Sequence, residues 1–250
     1  MDVNGISALV TGGGRGLGAA LALRLAERGA RAVVVARTAA DVEAVARAGR
    51  ESAGEVHALV GDLAAREDAW RIAGAAAALV GPIDLLVQNA SSLGPTPLRL
   101  LLDTEDGELA AALEVNVLGA FRLARAVVGS MALRGRGLVV QVSSDAAASA
   151  YPRWGAYGAS KAAADHLARV WAAELAERSV RFLVVDPGEM DTRMHAEAVP
   201  DADRAALLRP DDVAERLVQL IARAEQLPSG ARVELARLAA PQQAALAEGA

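Results

Sequence analysis

Ile6-Ser7-Ala8-Leu9-Val10-Thr11-Gly12-Gly13-Gly14-Arg15-Gly16-Leu17-Gly18 decides how the rest of the chain is read. Ile6 to Val10 is a short apolar run of the kind buried inside a sheet. A helical segment follows over about Leu17 to Arg28, with Gly29 as its stop signal. A glycine-rich turn between a strand and a helix is where a dinucleotide pyrophosphate can bind. Backbone N–H groups at the helix start face the phosphates, and glycines let the backbone approach them. The spacing Thr11-Gly12-x-x-x-Gly16-x-Gly18 departs from the common G-x-G-x-x-G fingerprint. Alone, the same run also fits a tight strand-to-helix connection that binds nothing.

Working outward, apolar runs alternate with longer helical stretches. Strands are expected over Ala32–Val35, Val56–Val60, Ile83–Val87, Leu138–Val142 and Arg181–Val185, with a possible last one at Val233–Leu235. Helices are expected over Asp41–Arg50 (capped by Thr38), in the alanine-rich stretch ending near Gly81-Pro82, and over Asp106–Leu133, Ala156–Arg178 and Asp211–Ala224. This alternation predicts an α/β fold: a doubly wound parallel sheet with helices on both faces. No composition break or linker divides the 250 residues, so one domain is expected, with its core over about 5–236 and a short alanine-rich C-terminal tail.

Composition narrows the function. With no cysteine, disulfides, thiol catalysis and cysteine-ligated metals are excluded. The net charge of −5 without basic clusters speaks against a nucleic-acid partner. Gly81-Pro82 and Asp84 interrupt the longest apolar stretch, and the start Met1-Asp2-Val3-Asn4 lacks the features of a secretory signal, so a cytoplasmic protein with no membrane span is expected. Of 26 basic residues only Lys161 is lysine, the other 25 being arginine. A compact ammonium whose pKa can shift does what a permanently charged guanidinium cannot. Lys161 stands four residues after Tyr157, which puts both on one helix face and predicts an ammonium beside the phenol, lowering its pKa from about 10 towards the working range. A surface Tyr/Lys pair is the plainer alternative.

These residues together resemble the short-chain dehydrogenases/reductases over residues 5 to about 225. The matching motifs are Thr11 to Gly18, Asp62-Leu63, Asn89-Ala90, Asn116, Ser143-Ser144, Tyr157-x-x-x-Lys161 and Pro187-Gly188, in that order. The resemblance implies a Rossmann-type fold and a catalytic set of Asn116, Ser144, Tyr157 and Lys161. Tyr157 would be general acid for carbonyl reduction and general base for alcohol oxidation. Lys161 would tune it and hold the nicotinamide ribose, Ser144 would bind the substrate oxygen, and Asn116 would help hold a relay water. Asn116 sits with Val115, Val117 and Gly119 in a poor stretch of helix, where a local irregularity would suit a side chain turned to the site. Ser143 is read as a plain loop serine. The cofactor would touch Gly12, Arg15, Gly16, Leu17, Gly18, Arg37, Asp62, Leu63, Asn89, Ala90, Tyr157, Lys161, Pro187, Gly188, Met190 and Thr192.

At the end of the second strand an acidic side chain would bind both adenosine ribose hydroxyls and repel a 2′-phosphate. Here Ala36 is followed by Arg37, and Arg15 lies in the glycine loop, which favours NADP(H), with NAD(H) as runner-up. The family's usual Asn-Asn-Ala-Gly reads Gln88-Asn89-Ala90-Ser91, and its glycine-rich ending is absent. Tyr151, Trp154, Met190 and Met194 form the expected apolar substrate pocket, although packing explains them equally well. His195 has no spaced partner, so no metal is expected. The reading is an NADPH-dependent carbonyl reductase acting on a small molecule. The alternatives are an NAD-dependent secondary-alcohol dehydrogenase and a non-catalytic nucleotide-sensing or scaffold protein. The resemblance also implies a homodimer or homotetramer.

Overall fold

Successive strand residues point to opposite faces of a sheet, and in this chain both sets are apolar. In β1 (Ser7–Thr11), Ala8 and Val10 belong to one buried cluster and Leu9 to another. The computed structural model describes residues 1–52 and 54–237; the expected C-terminal tail from 238 onward lies outside the described residues. The further strands are β2 (Arg31–Ala36), β3 (Glu55–Val60), β4 (Leu85–Gln88), β5 (Gly137–Val142), β6 (Val180–Asp186) and β7 (Arg232–Glu234). All pair in parallel, in the order β3-β2-β1-β4-β5-β6-β7. The helices are α1 (Gly16–Glu27), α2 (Ala39–Glu51), α3 (Asp68–Val80), α4 (Asp106–Leu113), α5 (Ala120–Arg134), α6 (Gly155–Glu174), α7 (Arg193–Ala198) and α8 (Pro210–Ala222).

A sheet apolar on both faces needs a helical layer on each. On one side Leu21 and Leu25 of α1, Val42 of α2 and Leu217 and Ile221 of α8 pack on Val10, Val34 and Leu183. On the other, Ile72 of α3, Leu123 and Met131 of α5 and Ala168 of α6 pack on Leu9, Leu86 and Phe182. The chain is doubly wound, as expected. Its strand order reverses at β1, whose neighbours are β2 and β4, and the crevice beyond the carboxyl ends of β1 and β4 is where such sheets bind ligands.

Local chemistry explains most helix ends. Gly29, at φ 84°, closes α1, and its N–H donates to the Ala26 carbonyl at 2.9 Å. Pro210 opens α8 with Asp211 and Asp212 in the first turn. Two expected helices need correction. The one over Asp106–Leu133 is interrupted by a π-helical turn, Glu114–Gly119, between α4 and α5. There a Cβ on Gly119 would stand 2.4 Å from the Leu63 carbonyl oxygen, so this turn presses directly on the chain after β3. The one over Ala156–Arg178 ends at Glu174, because the chain must swing through a 3-10 turn and a left-handed Ser179 (φ 55°) to enter β6 at Val180. The short α7 lacks a sequence signal strong enough to have been expected.

Candidate active site

Two turns interlock at the switch point. Thr11 Oγ1 accepts from the backbone N–H groups of Asn89 (3.0 Å) and Ala90 (3.1 Å) and donates to the Val87 carbonyl (3.2 Å). Asn89 Nδ2 donates back to the carbonyls of Thr11 (2.9 Å) and Gly12 (3.2 Å). The glycines make this closeness possible. A Cβ on Gly12 would lie 2.8 Å from Ala90 Cα, and one on Gly18 would lie 2.4 Å from the Gly12 carbonyl oxygen. Gly16, at φ 55°, faces Thr192, whose Cγ2 would stand 3.4 Å from an added methyl. The glycine loop and the segment after Pro187-Gly188 therefore border one cleft.

Asn116 projects from the π turn into this region. Its Oδ1 accepts from the Ser92 N–H (2.7 Å) and Ser91 Oγ (3.2 Å). Its Nδ2 donates to the Ser92 carbonyl (2.8 Å) and Ser160 Oγ (2.8 Å), and Ser160 Oγ in turn donates to the Tyr157 carbonyl (2.7 Å). The amide thus uses its full capacity of two acceptor and two donor positions. It is a strut between the turn after β4 and the first turns of α6, and no position on the amide remains for a relay water.

Tyr157 is 8% exposed and Lys161 2%. The ammonium does not reach the phenolic oxygen; it stands 5.6 Å over the ring centroid, and Nζ donates to the Val142 carbonyl at 2.9 Å. The expected lowering of the phenol pKa is corrected accordingly. Burial pushes Tyr157 up to about 12, the carboxylates of Asp186 and Asp145 add to that, and hydrogen bonding with Ser144 and Ser91 opposes it. Burial also pulls Lys161 down to about 8 against the pull of Asp165 and Asp186. Ser144 caps a 3-10 turn, accepting from the Ala146 N–H (3.2 Å), and its Oγ donates to Asp145 Oδ1 at 2.9 Å.

Over Tyr157 lies an apolar cluster of Leu93, Leu98, Ala146, Trp154, Met194 and Ala198, with the Trp154 ring edge-on to the phenol at 5.7 Å. Two expected pocket residues are elsewhere. Tyr151 is 45% exposed and donates its hydroxyl to Asp145 Oδ2 at 2.8 Å, outside the apolar cluster. Met190 packs with Leu208 against the main core, joined to it by a backbone bridge. Among the described residues no group of three or more metal-ligating side chains is placed to hold an ion, and no helix is long and apolar enough to cross a membrane.

A phenol, an ammonium, a serine and an amide gather at the carboxyl ends of a doubly wound sheet. The short chain dehydrogenase family model matches residues 7–203. The chain belongs to the short-chain dehydrogenase/reductase family. It is 36% identical to an uncharacterized oxidoreductase of Mycobacterium tuberculosis, over 91% of this chain and 89% of that protein. Among solved structures it superposes on a metagenomic short-chain oxidoreductase in complex with NADP, with a TM-score of 0.79, 30% identity and coverage of 94% and 97%. It also superposes on 7α-hydroxysteroid dehydrogenase complexed with NADH and 7-oxo glycochenodeoxycholic acid, with a TM-score of 0.84, 27% identity and 93% of each chain covered. This short-chain dehydrogenase/reductase is thus an oxidoreductase of the NAD(P)-binding Rossmann fold.

Within that family framework, Asn116, Ser144, Tyr157 and Lys161 come together. Arg15 and Arg37 are exposed at the crevice with no ion pair among the described residues. Asp62 shapes its own turn, its Oδ1 accepting from the Ala64 N–H at 3.0 Å, beside the buried Leu63. Gly188, at φ 80°, donates its N–H to Asp186 Oδ1 at 3.1 Å. Sequence reading missed Ser91, Ser160 and Asp145, which touch Asn116 and Ser144. It also set Ser143 aside, although that side chain is buried and donates to Asp165 Oδ2 at 2.6 Å. Ser160 lay inside the quoted Tyr157–Lys161 motif; Asp165 carried no local signal.

Proposed function

We propose that the chain reduces an apolar ketone or aldehyde to the alcohol with NADPH, with Tyr157 as general acid. The observation that carries this reading is the place of Tyr157, a phenol buried at the floor of the apolar cluster, where burial favours its neutral form. A neutral phenol is the form that can give a proton to a carbonyl oxygen as that oxygen gains charge. NADPH, when bound, supplies the hydride that makes the new C–H bond at the carbonyl carbon. Ser144 Oγ, turning its proton from Asp145 to the substrate, adds a second donor for the developing oxyanion. Lys161 has the Val142 carbonyl as its one acceptor among the described residues, which leaves N–H donors for ribose hydroxyls.

The residues present suit that cofactor. Gly12, Gly16, Leu17 and Gly18 would hold the pyrophosphate, Asp62, Leu63, Asn89 and Ala90 the adenosine, and Pro187, Gly188 and Thr192 would close the far side. Ala36 in place of an acid, with Arg37 and Arg15 nearby in no ion pair among the described residues, favours a 2′-phosphate. A second reading, oxidation of a secondary alcohol with NAD, has its own observation: with its proton on Asp145, Ser144 Oγ is set to accept a substrate hydroxyl.

Separate titrations with NADPH and NADH, followed by tryptophan fluorescence and calorimetry, test the cofactor choice; NADPH should bind more tightly by about tenfold or more, and the reverse order sends the search to alcohol oxidation. On a carbonyl panel, Tyr157→Phe should lower turnover by about 10²-fold or more. Near-normal turnover of that variant removes the basis of the proposal, and binding without any turnover by the wild type points to the nucleotide-sensing reading.

A further inference from the structure

Arg232 opens β7, the edge strand, yet its guanidinium reaches under the catalytic serine. Nη1 donates to Ser143 Oγ (2.7 Å) and Asp165 Oδ2 (2.8 Å). Nη2 donates to the Ser144 carbonyl (2.9 Å) and Asp186 Oδ2 (2.8 Å). One side chain from β7 therefore joins the end of β5, the third turn of α6 and the end of β6. Asp165 lies one helical turn beyond Lys161, and Lys161 holds the Val142 carbonyl. Two cations thus pin the carbonyls of Val142 and Ser144, on either side of Ser143.

We propose that Arg232 is a positioning residue for carbonyl reduction, acting through Ser144, whose backbone it holds, with Asp165 and Asp186 as its anchors. The inference rests on the role given to Ser144 and Tyr157 above. Stability alone does not explain the cluster. Asp165 and Asp186 are each under a tenth exposed, and buried ion pairs seldom outdo an apolar cluster of equal volume. Its geometry does something an apolar cluster cannot: a planar fork makes four directed bonds to three separate elements. It also sets charge. Asp165 faces Lys161 and Arg169 from its own helix, Ser143 from the end of β5 and Arg232 from β7. Asp186 faces Arg232 and Glu234 from β7, Asp145 beyond β5 and the Gly188 N–H. Burial raises both carboxyls; the Ser143 hydroxyl and then the Arg232 guanidinium hold Asp165 down, and the Gly188 N–H and then the same guanidinium hold Asp186 down.

The test uses the full chain with a carbonyl compound that the wild type turns over. It compares Arg232→Gln, Arg232→Lys and the double variant Arg232→Gln/Asp165→Asn in kcat, KM, NADPH affinity, thermal midpoint and pH profile. Arg232→Gln should lower kcat by about tenfold to a hundredfold, the cost of a misplaced serine, with NADPH affinity changed less than about threefold. The acidic limb of its kcat/KM profile should move up by about one unit, because both carboxyls lose their cation. Arg232→Lys, which keeps the charge but not the fork, should keep the limb and still lose about tenfold or more in kcat. The double variant should recover the thermal midpoint without recovering kcat. Should Arg232→Gln fail to fold, Arg232→Lys decides: wild-type kcat overturns the proposal. So does an unmoved pH limb in Arg232→Gln, or a double variant restored in kcat as well as in midpoint. These outcomes leave the function itself standing if Tyr157→Phe is dead, whereas a wild type that reduces nothing overturns both.

Discussion

At the scale of single residues, Lys161 and Tyr157 hold a cost as well as a function. Lys161 is pulled from 10.5 to about 8 by burial, so between those values the unfolded chain holds a proton that the folded chain has released. Stability from this group therefore rises with pH through that window, by about 2 kcal/mol between pH 7.5 and 9.5. Tyr157 works in the opposite sense: its folded pKa of about 12 exceeds the ordinary 10, so its contribution is intact below pH 10 and is lost above it. Urea unfolding without nucleotide should show the gain from pH 7.5 to 9.5 in the wild type and its absence in Lys161→Met. Parallel pH curves for the two would mean that the buried ammonium is not desolvated as its surroundings imply. The pairing was legible because four residues on a helix share a face, and it was legible only that far. The spacing places Lys161 beside the ring; the Val142 carbonyl that accepts its hydrogen bond comes from β5, and no local pattern announces it. Arg232 was illegible for the same reason. Each of its partners is more than forty residues away in the chain.

At the scale of elements, the strands were easy to read and the helix interruptions were not. Val33, Val34 and Val35 are buried on alternating faces, so the run is apolar throughout and bounded by polar residues. The π turn was foreshadowed by Val115, Val117 and Gly119, residues that serve a regular helix poorly. Its last residue packs against Leu63, which lies far away in sequence. Gly119 makes that contact possible, and the consequence can be measured. Gly119→Ala places a methyl 2.4 Å from the Leu63 carbonyl oxygen, so one of the two segments must shift. The variant should lose about 1–3 kcal/mol in chemical denaturation, as overpacking does, together with nucleotide affinity through the Asp62-Leu63 turn. Gly129→Ala at an exposed position of α5, where an added Cβ meets nothing within 4 Å, is the control and should be neutral or stabilising. Equal effects of both would show that helix propensity, not the contact with Leu63, governs this region.

At the scale of the whole molecule, the parallel order sends every strand's carboxyl end to one rim. Glycine loop, Asn89 turn, Ser144 and the segment after Asp186 are neighbours there because the sheet has a single direction. We propose the outer surface of α5 and α6 as the meeting place for a second copy. Phe121 and Trp171 stand 6.0 Å apart between the two helices, Arg125 lies over Phe121, and Val170 and Leu118 are about 40% exposed beside them. Light scattering at micromolar concentration should give a dimer or tetramer, and a sharp monomer would contradict it. Of the three small residues Ala162, Ala163 and Ala164, only Ala164 is fully buried within the chain, which leaves the other two for such a contact. The Asn116 strut has a consequence at this scale too. It ties the turn that borders the nucleotide to the helix that bears the phenol by way of Ser92, Ser160 and the Tyr157 backbone, each joint 2.7–2.8 Å long. In a machine, misalignment accumulates over the parts between two working surfaces. Here the turn after β4 and the helix that bears Tyr157 are registered to each other across three short joints rather than through the intervening chain.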